Sequence, residues 1–318
     1  MATSERIPSA DERLRQEQMT GVGGTDAAAI VGVHPYKSYV QAYLQKLGQL
    51  PEIEDNERMY WGRKLEPMVA ERFAEEHPTV KVRRRNTVWR HKDRPWQLGH
   101  VDRVIVDKGP RGNGILEIKT TDRFNADQWE DGDCPDFYAI QLHHYLMVSG
   151  YQWGVLAVLI GGNEYREVEI QRDERLYADL TDLETEFWER VQRREPPMPD
   201  GSEQTTQLLK RLYPQATDAT SIVVEEDVMA DVRRYKELLA AANAAETDKN
   251  ALANVFRMRM GTAEALFVPS LDKPLVTWKN GTRRAFDETA FKTAFPDLHR
   301  QFVTEQPTRT LRFAKLKE

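Results

Sequence analysis

Apolar positions along the chain follow two periods, and the switches between them divide it into elements. The polar stretch 1–20 reads as helical in part, and GVGGTDAAAIVGV at 21–33 reads as a glycine-rich turn leading into a helix of small residues. Residues 39–48 predict a helix ending at Gly48. Residues 57–77 predict a longer amphipathic helix, stopped at His77-Pro78. Three strand-like runs follow, TVKVRRRNTVWR at 79–90, WQLGHVDRVIVD at 96–107 and GILEIKT at 114–120, punctuated by Gly and Pro. Residues 136–150 read as a helix ending at Gly150, and VLAVLIGG (155–162) with YREVEIQ (165–171) as a hairpin around Gly161-Gly162-Asn163. A helix over about 173–194 runs into Pro196-Pro197-Met198-Pro199, and that cluster with the polar stretch after it marks a boundary. Beyond it lie a long helical pattern at 226–260, strand-like pieces at 264–269 and 274–279, and a basic tail. The expected organisation is a core over 1–200 and an accessory module over 201–318, with no internal repeat.

Composition narrows the classes. At 318 residues and 40 % hydrophobic, the chain can bury a sizeable core. Its 30 % charged fraction and mean hydropathy of -0.66 fit a soluble protein. No apolar run approaches the ~20 residues of a membrane helix, and the N-terminal MATSERIPSADERLRQEQ has no apolar h-region, so no membrane partner and no secretory signal are expected. Cytoplasmic residence is the default expectation. The single cysteine, Cys134, excludes an intramolecular disulfide and argues against a cysteine-based zinc site. A net charge of -6 weighs against indiscriminate nucleic-acid binding. Yet a metal-dependent site needs carboxylates, and one basic face can coexist with an acidic remainder. The charge is uneven: residues 81–94 hold seven Lys or Arg against one Asp, while 173–190 is rich in Asp and Glu.

The candidate chemistry centres on Asp102 and on Glu117-Ile118-Lys119, in two strand-like segments joined by a turn at Lys108-Gly109-Pro110-Arg111-Gly112. Such a hairpin can set Asp102 beside Glu117. Alternate strand residues share a face, so Glu117 and Lys119 point the same way, with Ile115, Leu116 and Ile118 for packing. Two carboxylates and a backbone carbonyl form a hard oxygen set suited to Mg²⁺ or Mn²⁺. Such an ion polarises a phosphate oxygen and acidifies water, and a neighbouring lysine orients or deprotonates that water and stabilises developing charge. An E-x-K triplet alone is commonly an exposed strand face with an ion pair. This one is the only such match in the chain and sits in an apolar strand.

The other candidates have plainer readings beside the functional ones. Glu66 reads as an exposed helix residue, with Pro67 marking a helix start. Gln141 and Tyr145, at i and i+4 on one helical face, read equally as a buried polar pair. His100 reads as a hydrogen-bonded structural histidine, and His143 and His144 as helix-surface or packing residues. The glycine turn at 21–24 lacks the Gly-Lys-Ser/Thr ending of a nucleotide-binding loop. Arg83-Arg84-Arg85 precedes the candidate hairpin, which favours nucleic-acid contact over a merely solvated face. Arg90 and Trp89 could add backbone and stacking contacts, with Trp89 as plausible in a core.

Five motifs in order over about residues 13–195 resemble the YqaJ-type viral recombinase family, relatives of the lambda-phage exonuclease within the PD-(D/E)xK superfamily. Gly21-Val22-Gly23-Gly24-Thr25-Asp26-Ala27-Ala28-Ala29-Ile30 resembles the family's GIGGSDAAAI opening, and Trp61-Gly62 through Leu65-Glu66-Pro67 its WG..LEP helix. Gly99-His100-Val101-Asp102 resembles its metal-binding strand, Leu116-Glu117-Ile118-Lys119-Thr120 its core motif, and Tyr138 through Gln141 with Tyr145 its QxxxY helix. The resemblance implies an α/β fold, a central mixed sheet flanked by helices as in restriction endonucleases, here with a C-terminal helical/β extension. It implies that Asp102, Glu117 and the Ile118 carbonyl hold the metal and that Glu66 joins them directly or through water. Lys119 would act on the nucleophilic water, Gln141 would orient groups near the scissile phosphate, and Tyr145 would support it. Thr25, with Arg13 or Arg15, would lie near the entering strand end. The family has Ser where Thr25 stands, and its arginine lies closer to the glycine turn than Arg15 does. The implied activity is 5′-to-3′ digestion of one strand at double-stranded DNA ends, leaving a 3′ single strand for a phage annealing protein. A toroidal homotrimer and a phage or prophage origin in a bacterial host are implied with it. The basic tail, with Arg309, Arg312, Lys315 and Lys317, could touch DNA or a neighbouring subunit. An endonuclease, a single-strand-specific nuclease and a non-catalytic DNA-binding or interaction module remain the alternatives.

Overall fold

The computed structural model describes residues 16–51, 55–85, 87–217, 220–304 and 308–314. It forms two compact units, residues 1–212 and 213–318.

Three helices of the first unit have ends set by local chemistry. Helix α1 (Gly24–Val31) starts where the Asp26 carboxylate accepts the Gly23 N–H at 2.9 Å, closing one of the free amides of a helix start. Helix α2 (Tyr39–Lys46) is capped by Ser38 and α3 (Glu57–Glu76) by the Asn56 side chain. Pro67 lies inside α3. It therefore starts no helix, contrary to the plainer sequence reading, and α3 runs on to His77 before Pro78.

The strands are β1 (Lys81–Arg84), β2 (Trp89–Arg90), β3 (Leu98–Gly99), β4 (Arg103–Val106), β5 (Gly114–Thr121), β6 (Trp153–Ile160) and β7 (Glu164–Gln171). A mixed five-stranded sheet has the order β1-β4-β5-β6-β7. Only β5 and β6 pair in parallel, across helix α4 (Asp136–Ser149), as a parallel connection requires. The two runs expected as single strands, 79–90 and 96–107, each break in two. Lys81–Arg84 pairs with Val106–Arg103, and Trp89–Arg90 pairs with Gly99–Leu98 in a separate ribbon. Four residues (85–88) on one side face three (100–102) on the other, so one register cannot span both ladders.

Alternation along β5 sorts its side chains between two helices. Leu116 and Ile118 pack with Val69, Ala70 and Phe73 of α3. Ile115 packs with Leu142, Tyr145 and Leu146 of α4, which places Glu117 and Lys119 on the α4 side. Each fully buried leucine or phenylalanine here is worth roughly 1.5–3 kcal/mol over leaving it in water. Helix α5 (Glu174–Arg193) buries Tyr177, Leu180, Glu184, Phe187 and Val191, a 3-4 spacing that forms one face. One member of that stripe, Glu184, is charged. The proline cluster does end α5. Helix α6 (Glu203–Leu212) then buries Thr205 and Leu208 within the same unit, so the division falls after Leu212 and not at residue 200.

The second unit holds α7 (Val228–Met260), the ribbon of β8 (Ala265–Leu266) and β9 (Val276–Thr277), and the short helices α8 (Glu288–Ala294) and α9 (Pro296–Phe302). Tyr235 of α7 stacks on Phe313 at 4.1 Å. Arg312 is exposed, whereas Lys315 and Lys317 lie outside the described residues. Among the described residues no helix is long and apolar enough to cross a membrane.

Candidate active site

Glu117, 3 % exposed, is the centre of the site. Its Oε1 accepts from Lys119 Nζ at 2.7 Å and from Gln141 Nε2 at 2.8 Å. Lys119 also donates to Gln141 Oε1 at 3.2 Å, which fixes the way the amide faces. Gln141 Nε2 then reaches the Tyr145 hydroxyl at 3.1 Å. Asp102 stands at the bend just before β4, and its Oδ2 accepts the Ile118 N–H at 2.8 Å. The structure thus gathers Asp102, Glu117, Ile118, Lys119, Gln141 and Tyr145; the hairpin pattern predicts Asp102 beside Glu117 and the helix pattern Gln141 beside Tyr145, while the meeting of the two pairs is what the resemblance implies.

Burial first, and then the nearby Asp102, push the Glu117 carboxyl up to about 8. Burial also raises Asp102, against the pull of Lys119 and the Ile118 N–H. For Lys119 burial works the other way, but Glu117 and Asp102 outweigh it and hold the ammonium above its usual range. The Lys119 nitrogen lies 4.9 Å from the centre of the Tyr138 ring, a cation–π contact. Glu117 Oε2 is buried without a hydrogen-bond partner. An orphaned carboxylate oxygen is costly, and here it lies in a hard-oxygen donor set that fits Mg²⁺ or Mn²⁺.

Glu66 does not complete an acidic triad. Among the described residues no group of three His, Cys, Asp or Glu could hold a metal ion. The Glu66 Oε1 accepts from Arg103 at 2.6 Å, and the same guanidinium nitrogen donates to the Asp102 carbonyl at 2.7 Å. Glu66 is still close enough for its charge to raise Asp102. Arg103, a buried cation, is a member of the site that the sequence pattern did not single out.

A cavity of about 320 Å³ adjoins these residues, lined among others by Gly23, Thr25, Lys37, His100 and Tyr145. His100 is exposed there rather than buried in a structural hydrogen bond. Asp26 closes the cavity floor between Lys37 and Lys46, each at 2.5 Å. Burial would raise its pKa, but the two ammonium groups win and hold it well below the usual carboxylate range. Gly24 has a packing reason. A Cβ there would sit 2.8 Å from Gln141 Cγ and from Tyr145 Cε1. Gly24→Ala is expected to destabilise the fold by about 1–3 kcal/mol, read by denaturant unfolding, because α1 must lift off α4.

The basic candidates are dispersed. Arg13 and Arg15 lie outside the described residues. Arg83, Arg84 and Arg85 are exposed on or beside β1, an edge strand, and are not joined to the carboxylates. Arg85 lies over the Trp89 ring at 4.9 Å, and Trp89 meets Tyr151 edge-on, so Trp89 is a packing residue. Arg90 donates to the Pro95 carbonyl and to Thr20.

A family model described as the YqaJ-like viral recombinase domain matches residues 13–152. The uncharacterized protein YqaJ of Bacillus subtilis (strain 168) is 32 % identical over 293 residues, 91 % of this chain and 89 % of that protein. A crystal structure of the alkaline exonuclease LHK-Exo from Laribacter hongkongensis is similar with a TM-score of 0.47 at 17 % identity, over 64 % of this chain and 100 % of that one. A phage related exonuclease from Haemophilus somnus 129PT is similar with a TM-score of 0.41 at 14 % identity, over 60 % and 96 %. The two structural likenesses carry no residue correspondence. The identity to the Bacillus subtilis protein, over nine-tenths of the chain, together with the matching domain model, shows that the chain belongs to the YqaJ-like viral recombinase family.

Proposed function

We propose that the chain is a metal-dependent deoxyribonuclease, an exonuclease that digests one strand from double-stranded DNA ends. The observation that carries this reading is the buried Glu117 with an unpartnered oxygen, beside Asp102 and Lys119. Asp102, Glu117 and the Ile118 carbonyl would hold Mg²⁺ or Mn²⁺, with Glu66 reaching it only if Arg103 gives way. When bound, the ion supplies Lewis acidity toward a phosphate oxygen and acidifies water.

The rest falls to the chain's own groups. Lys119 is held as an ammonium by Glu117 and Asp102, so it orients the attacking water and stabilises negative charge on the phosphorane; it is not a resting base. Gln141 ties Lys119 to Glu117 and keeps both in place, and Tyr145 anchors Gln141. The cavity beside Tyr145, with Thr25 on its wall, is where the strand end would lie; a part for Arg13 or Arg15 rests on the family resemblance alone. Arg83, Arg84 and Arg85 would contact the duplex backbone. Digestion in the 5′-to-3′ direction, a recombination role with a single-strand annealing protein, and a homotrimer belong to the same reading and rest on family resemblance.

Digestion of a linear duplex labelled at the 5′ or the 3′ end, beside a closed circle, tests the mode of action. Release of the 5′ label as mononucleotides with the circle spared supports the exonuclease. Cutting of the circle favours an endonuclease, and cleavage of single strands alone a single-strand-specific enzyme.

A further inference from the structure

Helix α5 carries Glu184 in the middle of its apolar stripe, and the side chain is fully buried. Its two oxygens are both used. Oε1 meets His144 Nδ1 at 2.7 Å, and Oε2 accepts from Gln97 Nε2 at 2.8 Å. The orientation of Gln97 is fixed, because its Oε1 accepts from Arg94 at 2.7 Å. His144, also fully buried, turns its other nitrogen to the Leu98 carbonyl at 2.9 Å. A carbonyl can only accept, so Nε2 carries a proton. Nδ1 meets the Glu184 carboxyl, so both ring nitrogens are engaged. Burial works against a charge on the ring, but Glu184 and the Leu98 carbonyl outweigh it and hold the imidazole above its usual range.

Two apolar side chains would pack here at least as stably as a buried ion pair. What the pair does provide is a grip on Leu98. This residue pairs with Arg90 in the short two-residue ribbon where the main ladder is broken, and that pairing ends at Gly99. Its N–H donates to the Val22 carbonyl at 2.7 Å, and the Val22 N–H donates to the Trp96 carbonyl at 2.7 Å. Leu98 is thereby fixed on one side to the glycine turn and on the other to α4. The three segments that meet through it each supply cavity wall: Gly23 and Thr25 from the turn, Leu98 and His100 from the strand, and Tyr145 from α4.

We propose that His144 and Glu184 are a positioning pair that holds the glycine turn and the Leu98–His100 strand against Tyr145, and so sets the binding of the DNA strand end. The proposal rests on the nuclease reading for its ligand, but its structural half can be tested without it. Neither residue touches the reacting groups, so the signature is in substrate binding, not in turnover.

The experiment uses the full chain with a linear duplex and reads two quantities, KM against kcat and hydrogen exchange of segments 20–25 and 96–100. Glu184→Gln keeps every contact with a neutral ring, its amide donating to Nδ1 and its oxygen accepting from Gln97. It should stay within about twofold of wild type in both. The paired variant His144→Leu with Glu184→Leu removes both charges together and leaves none orphaned. It should raise KM about tenfold, with kcat within about threefold, and speed exchange in both segments by at least about tenfold. Wild-type KM and exchange in a folded paired variant overturn the proposal. If that variant does not fold, His144→Gln, which cannot reach both Glu184 and Leu98, decides on the same readouts. If wild type cleaves no DNA the nuclease reading fails, while the exchange data still decide whether the pair holds the two segments.

Discussion

Lys119→Ala is expected to lower kcat for DNA hydrolysis by about 10³-fold or more, the scale seen when a preorganised charge-stabilising donor is lost. The residue has no substitute nearby. It donates to Glu117 and Gln141 and lies against Tyr138, while the buried Arg103 is taken up by Glu66 and the Asp102 carbonyl and the buried Lys46 by Asp26. Its loss has a second consequence. Lys119 lowers the pKa of both carboxyls, so without it they ionise less readily and the pH at which metal supports residual activity moves upward. The fall should appear in kcat and kcat/KM together, with folding retained by circular dichroism.

The second large effect is the coupling of Mg²⁺ to protons at Glu117. Its carboxyl sits at about 8 in the folded protein against 4.5 ordinarily, by burial first and then by Asp102. A raised carboxyl pKa means that the folded state keeps a proton the unfolded chain gives up. Metal-free stability is therefore full below the ordinary pKa, declines as pH rises toward about 8 and levels beyond it. Asp102, also raised, acts in the same direction. Metal binding needs the carboxylates ionised, so each ion displaces protons. Calorimetry should show Mg²⁺ affinity tightening by up to about tenfold per pH unit below that pKa, with protons released on binding. Glu117→Gln should be more thermally stable than wild type without metal at pH 8, lose most of the pH slope, and gain almost no stability from added Mg²⁺. A wild-type affinity independent of pH between 6 and 8 would contradict this assignment.

The parts of this site that follow local periods are the parts legible in the sequence. The two-residue alternation of β5 puts Glu117 and Lys119 on one face, and the i, i+4 spacing of α4 puts Gln141 above Tyr145. Helices α3, α4 and α5 begin and end within a few residues of their predicted bounds, because their caps and the following Pro or Gly are encoded next to them. What was not legible depends on long-range pairing. Glu66 reads locally as an exposed helix residue, and its pairing with Arg103, 37 residues on, shows only in the fold. The breaks in the strands at 79–90 and 96–107 come from unequal segment lengths that matter only once the two are paired. His144 reads as a surface or packing residue until Glu184, 40 residues away, meets it inside the core. The boundary at the proline cluster is a true helix stop, but α6 packs back into the first unit by contacts that local composition does not record.

The central claim is most directly tested by measuring acid-soluble nucleotide release from linear duplex DNA by the full chain, in Mg²⁺ and in chelator, beside Asp102→Asn. Wild type is expected to release nucleotides in Mg²⁺ and none in chelator, and the variant none. Equal release in chelator, or from Asp102→Asn, would contradict the claim.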